Sequence, residues 1–134
     1  MGLIIDTSVI IETERKKINF MHYEKYEEAY ISVISISKLL VRVYRANTEE
    51  RKIKRAAFVE NIINNIPSLS FQEEEARLYS NLIYLLWQKG ITIGVHDIMI
   101  GATALVHGYS ILTSNSADFS RIPGLSVINF ESKI

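Results

Sequence analysis

Cysteine is absent from this 134-residue chain, which rules out a disulfide framework, a zinc-thiolate site and a cysteine nucleophile. The same absence fits a protein of the reducing cytoplasm. An excess of charge is also missing. Fifteen basic residues balance fifteen acidic ones, so the field of the whole molecule does not draw in nucleic acid. Any contact with RNA must then come from a local patch, and two runs qualify, Arg15-Lys16-Lys17 and Arg51-Lys52-Ile53-Lys54-Arg55. On a helix such a run more commonly forms a solvated face. No apolar stretch is long enough to span a membrane. The opening Met1-Gly2-Leu3-Ile4-Ile5-Asp6 has too short an apolar run and too early a carboxylate for a signal peptide. Repeats, low-complexity tracts and interdomain linkers are lacking too, and the length suits one compact domain over residues 1–134.

What the chain does contain is an alternation of short apolar runs with amphipathic segments. Leu3 to Ile5 is an apolar run closing on Asp6, the pattern of a fully buried parallel strand. Thr7 and Ser8 offer hydroxyls to cap a helix beginning near Val9, and the stretch from Thr13 to Glu28 is polar and loosely helical. Further strands are expected at Ala29 to Val33, Leu69 to Phe71, Tyr109 to Thr113 and Leu125 to Asn129. A helix is expected from Ile36 to Ala46, with Ile36, Leu39, Leu40, Val43 and Tyr44 on its apolar face. Another runs from Glu49 to Asn64 and ends before Pro67. Gln72 to Lys89 is the longest, stopped by Gly90, with Tyr79, Leu82, Ile83, Leu86 and Trp87 as its buried stripe. Ile91 to Val95 leads into a last helix, Asp97 to His107, stopped by Gly108. This alternation predicts an α/β fold with a parallel sheet covered by helices on both faces.

In an open parallel sheet the ligand crevice lies beyond the carboxyl ends of the strands. Asp6 ends the first strand, Asp97 follows the Ile91 to Val95 segment, and Asp118 follows the Tyr109 to Thr113 strand, so all three are expected at one edge. Carboxylates crowded there repel one another unless a hard cation such as Mg2+ or Mn2+ neutralises them. Local explanations compete. Asp97 can cap the helix it opens, and Asp118 can serve a turn beginning at Asn115. Asp6, directly after a buried strand, has little structural purpose.

Four segments stand in order at suitable spacing: Leu3-Ile4-Ile5-Asp6-Thr7-Ser8-Val9, Ile31-Ser32-Val33-Ile34, His96-Asp97-Ile98-Met99-Ile100-Gly101-Ala102-Thr103-Ala104 and Leu112-Thr113-Ser114-Asn115-Ser116-Ala117-Asp118-Phe119. Together they resemble the PIN-domain family, in particular the VapC-type toxins of bacterial toxin-antitoxin pairs, over nearly the whole chain. The resemblance implies a single PIN-like domain with a five-stranded parallel sheet and an acidic pocket binding Mg2+ or Mn2+. It implies an endoribonuclease that cuts RNA phosphodiesters by metal-assisted attack of water. On that pattern Asp6 and Asp97 are catalytic metal ligands, Asp118 is a further catalytic acid, and Thr7, Thr113 and Asn115 are supporting groups. It also implies a homodimer held silent by a small VapB-type antitoxin whose tail fills the pocket.

One position departs from the pattern. The family places a glutamate, in a Glu-Leu-Leu context, in the first turn of the helix after the second strand, where this chain has Lys38-Leu39-Leu40. Local chemistry marks the same misfit. Ser35-Ile36-Ser37-Lys38 has the spacing of a capping box whose last member should be Glu or Gln, and a cation in a first turn opposes the helix dipole. Lys38, Arg42 and Arg45 form one basic stripe at i, i+4 and i+7, and relatives often carry glycine where Arg42 stands. A Lys38 ammonium among the acids would replace part of the charge a metal supplies. The expectation is a stable fold with impaired metal-dependent cleavage. The alternative is a catalytically silent PIN domain that binds an antitoxin or RNA. His96 begins a helix within reach of a phosphate, His22 and His107 lack metal-ligand spacing, and Met99 reads as a core filler.

Overall fold

The computed structural model describes residues 2–16 and 28–130. The polar stretch from Thr13 to Glu28, including Lys17 and His22, lies mostly outside the described residues. Five parallel strands form one sheet: β1 Gly2–Ile5, β2 Glu28–Ser32, β3 Ser68–Leu69, β4 Ser110–Thr113 and β5 Val127–Asn129, in the order β3-β2-β1-β4-β5. Between them run α1 Thr7–Lys16, α2 Val33–Tyr44, α3 Glu49–Asn65, α4 Glu73–Gln88, α5 Val95–His107 and α6 Ser116–Phe119.

Side chains alternate across a strand, so each strand feeds two cores. Leu3, Ile5 and Leu112 join Val9, Leu39, Val43 and Ile62, whereas Ile4 and Ile111 join Leu86, Ile98, Ile100 and Phe119. Helices α1 to α3 therefore seal one face and α4 to α6 the other, as a strand apolar on both sides requires. β1 is central, with Leu3 level with Ala29 of β2 on one side and Ser110 of β4 on the other. The chain grows outward from β1 to β3 and then returns on the opposite side of β1. The seam between β1 and β4 is thus the topological switch point, where crevices open at the strand ends.

The structure corrects several expectations. α5 starts at Val95, two residues before the expected Asp97, with Gly94 as its N-cap. α2 starts at Val33, because Ser32 at the end of β2 accepts a hydrogen bond from Ile34 N at 3.1 Å and caps the helix directly. Ser35-Ile36-Ser37-Lys38 is consequently no capping box, and Lys38 sits in the second turn, where the dipole penalty fades. A reciprocal cap does occur on α4, where Gln72 N donates to Glu75 Oε1 at 2.9 Å. The buried stripe of α4 is narrower than expected. It centres on Leu82 and Leu86 and leaves Trp87 68% exposed. Tyr44 is 76% exposed at the end of α2, with the Lys52 ammonium 5.6 Å above its ring. Met99 is half-buried rather than a core filler. The basic run on α3 is a solvated face with local tasks: Arg51 bonds Asn47, Lys54 pairs with Glu50, and Arg55 reaches the carbonyl of Arg42.

At the amino edge of the sheet, the Tyr30 and Tyr109 rings stack with centroids 5.3 Å apart. Both hydroxyls donate to Glu28 Oε2, at 2.9 Å and 3.2 Å. Its hydrogen bond to Glu28 first, and a hydrogen bond with Tyr109 next, push the Tyr30 phenol up to about 12. The Tyr109 ring also presses against Gly2 so closely that a Cβ there would overlap it. Gly2→Ala is expected to cost about 1–3 kcal/mol of stability, seen as a lower urea midpoint at unchanged m-value. An unchanged midpoint would mean that the ring moves aside without cost.

Candidate active site at the carboxyl edge of the sheet

Asp6 directly follows β1 and is only 3% exposed. Its N–H donates to Leu112 O at 2.9 Å, stitching β1 to β4 beyond the last paired residues. Its carbonyl accepts from Val9 N and Ile10 N, and its Oδ2 accepts from Ser8 Oγ at 2.6 Å, Thr113 Oγ1 at 2.9 Å and Ser8 N at 3.4 Å. Asp6 therefore caps α1, a structural purpose the sequence reading denied it, and neither Thr7 nor Ser8 is the cap. The other carboxylate oxygen, Oδ1, is buried without a hydrogen-bond partner, and so is Thr7 Oγ1 in the next residue. Burying an unpaired oxygen costs about 1–3 kcal/mol. Hard oxygens of this kind are natural ligands for Mg2+ or Mn2+.

Thr113, fully buried at the end of β4, donates to Asp6 and accepts from Asn115 N at 2.8 Å. Asn115 precedes α6 and donates from Nδ2 to Asp118 Oδ2 at 3.3 Å, while Arg121 lies 3.7 Å from Asp118 Oδ1. Asp118 thus has the local contacts of a turn that begins at Asn115. Ser8 was missed from the sequence, although it makes the shortest bond to Asp6 and also accepts from Ser114 N at 3.0 Å. The signal was present, since a hydroxyl two residues after an aspartate commonly folds back on it.

Asp97 is the third residue of α5, so it is not the N-cap. Burial pushes its carboxyl up, and Asp6 adds to this. Lys38 opposes the shift, Asp118 contributes a further push, and His96 lowers it slightly. Asp97 therefore feels both other acids. The Lys38 ammonium lies 3.8 Å from Asp97 Oδ1, with the two side chains 35% and 17% exposed. Among the described residues no three His, Cys, Asp or Glu side chains converge tightly enough to form a metal cage. The carboxylates that could hold an ion here are Asp6 and Asp97, a donor pair of the kind that leaves room for several waters and phosphate oxygens in the ion's shell.

The raised Asp97 carboxyl has a consequence for stability. The folded chain binds this proton more tightly than the unfolded chain does. The penalty is therefore full above the folded-state value and relieved as pH falls through it. Asp97→Asn is expected to be more stable than the parent at pH 7 in metal-free buffer. The gap should close on acidification to the ordinary aspartate range, as followed by thermal melts. A gap that is absent, or that widens in acid, would refute the assignment.

Two clefts flank the Lys38 side chain. One, of about 330 Å3, is lined by Lys38, Gly94, Val95, His96 and Asp97. The other, of about 290 Å3, is lined by Thr7, Ile11, Ser37, Lys38, Val41, Arg42, Arg45 and His96. They share Lys38 and His96 as lining, so the cleft beside Asp97 and the cleft along the basic stripe of α2 adjoin.

Comparison with known proteins agrees with this architecture. The family model described as PIN domain matches residues 3–125. The chain is 47% identical over 133 residues to ribonuclease VapC1 of Rickettsia felis, covering 99% of each. It is 43% identical over 128 residues to ribonuclease VapC of Rickettsia bellii, covering 96% of each. Among solved structures, the DNA-bound VapBC of Salmonella typhimurium superposes with a TM-score of 0.85 at 25% identity, covering 96% of this chain and 98% of that one. VapBC2 of Rickettsia felis, bound to a promoter DNA fragment, gives 0.83 at 23% identity, covering 98% and 100%.

Proposed function

Because the chain belongs to the PIN-domain family, as a VapC-type ribonuclease, we propose that it hydrolyses RNA phosphodiesters with Mg2+ or Mn2+ and that Lys38 weakens this activity. The observation that carries the reading is the orphaned Asp6 Oδ1, buried beside donors that occupy only Oδ2. Asp6 and Asp97 would hold the ion, with Thr7, Thr113 and Asn115 as supports. A bound divalent cation supplies Lewis acidity at the scissile phosphate and lets the carboxylates coexist. Ser8 and Thr113 fix the orientation of Asp6, so Oδ1 is the oxygen presented. Asp118, the most exposed of the three acids, would serve as the further acid that receives a proton from attacking water. His96 opens α5 at the meeting of the two clefts, where it can contact a phosphate oxygen.

Lys38 works against the ion. Its ammonium stands 3.8 Å from the Asp97 carboxylate, so a divalent cation there meets a like charge. That ion pair is also the observation favouring a second reading, a silent domain that binds RNA or an antitoxin without cutting. In either reading the partner is a small VapB-type antitoxin, the chain pairs with a second copy of itself, and the work is done in the cytoplasm. No helix among the described residues is long and apolar enough to cross a membrane. On incubating end-labelled structured RNA with Mn2+, the expected result is slow cleavage that EDTA and Asp6→Asn both abolish. Cleavage indifferent to both would refute the metal reading, and no cleavage at any protein concentration would favour the silent one.

A further inference from the structure

We propose that the cleft of about 290 Å3 beside Lys38 is a phosphate subsite for the RNA strand flanking the scissile bond, with Arg42 and Arg45 as its ligands and Glu14 as the residue that positions Arg42. The proposal rests on the RNA-directed reading above and extends it to binding groups outside the carboxylates. Adjacency is the first support. Lys38 and His96 line both clefts, so a strand passing from Asp97 beyond those two side chains meets Arg42 and then Arg45. The three cations succeed one another on one face of α2, about 6 Å and then about 4.5 Å apart along the helix axis.

Arg42 is the residue built for the task. Its side chain is only 21% exposed, and its NH1 lies 3.2 Å from Glu14 Oε1 on α1. Its backbone carbonyl is fixed by Arg55 of α3 at 3.0 Å. One edge of the guanidinium is thereby held while its remaining donors stay available for a bidentate grip on phosphate. Arg45, exposed at the end of α2, has no acidic partner among the described residues. Ile11 and the exposed Val41 give the cleft an apolar wall suited to a ribose or base, and Thr7 and Ser37 add hydroxyls.

Fluorescence anisotropy with a labelled single-stranded oligoribonucleotide in EDTA tests the subsite without requiring catalysis. Arg42→Ala together with Arg45→Ala is expected to weaken binding by more than tenfold. The double variant should also make the salt dependence shallower by about 1.4, two contacts at about 0.7 each. Arg45→Ala alone, at an exposed helix end where unfolding is not at issue, should flatten the slope by about 0.7. Arg42→Lys should keep the slope, and Arg77→Ala on α4, which packs on the other face of the sheet, should bind as the parent does. Parental affinity and slope in Arg45→Ala and in the double variant would overturn the subsite alone. A parent that binds no RNA would overturn the RNA reading along with it. A poly-glutamate peptide that depends on both arginines while RNA does not would reassign the cleft to an acidic protein segment and overturn the proposal.

Discussion

Lys38→Glu is expected to raise Mn2+-dependent RNA cleavage on the order of a hundredfold, about 2.7 kcal/mol of transition-state stabilisation. The substitution removes a cation standing 3.8 Å from Asp97 and adds an anion, a change of two charge units beside the proposed ion. Unit charges about 4 Å apart interact by about 4 kcal/mol at the effective dielectric of a protein surface. Lys38 is about one-third exposed, so solvent screening reduces that figure, and a hundredfold effect lies within what remains. Lys38→Met separates the two halves of the change: it deletes the cation without supplying a ligand and should recover only part of the activity. Calorimetric titration with Mn2+ should rank affinities Glu above Met above the parent. Equal cleavage and equal Mn2+ affinity in all three would show that Lys38 is peripheral to the chemistry.

Phe119→Ala is the substitution expected to damage the fold most, by about 3–5 kcal/mol. Phe119 is fully buried on α6, in the same core as Ile98, Ile100 and Ile122. Its carbonyl accepts from Ile122 N at 3.1 Å, tying the short helix to the chain that leads into β5. With a urea m-value of about 1–3 kcal/mol per molar, the midpoint should fall by about 2 M. Asp118, one residue earlier, should lose its placement against Asn115, so cleavage in the Lys38→Glu background should fall even in the fraction that stays folded. A loss of less than about 1 kcal/mol would mean that α6 packs as a surface turn and leaves the core intact without it.

The sheet was legible in the sequence because its central strands are apolar on both faces, and an uninterrupted run such as Leu3 to Ile5 has few other homes. Helix ends were legible where a special residue enforces them. Gly90 and Gly108 adopt φ of 69° and 70° after α4 and α5, as their positions predicted. What failed were inferences from one local motif when a neighbouring residue competed for the same task. Ser32 outcompeted Ser35 as the cap of α2 because β2 passes into that helix without a linker. Trp87 and Tyr44 follow the helical period yet stay exposed, since periodicity gives a direction and says nothing of whether a neighbour stands there to cover the ring. α6 escaped notice because four residues are too few to display a period.

At the site, proximity to the strand ends could be read from order alone. The hydrogen bonds that leave Asp6 Oδ1 unpaired depend on β1 and β4 being adjacent, a pairing of residues more than a hundred positions apart. The contact between Lys38 and Asp97 is likewise tertiary. The sequence marked Lys38 as anomalous, and only the fold shows which carboxylate it faces.

The sheet's two border strands are stubs, β3 of two residues and β5 of three, while the longer strands lie between them. Few backbone groups are thus presented for a foreign strand to pair with at either border. Fibril-like growth or strand exchange between copies finds little template at these two borders.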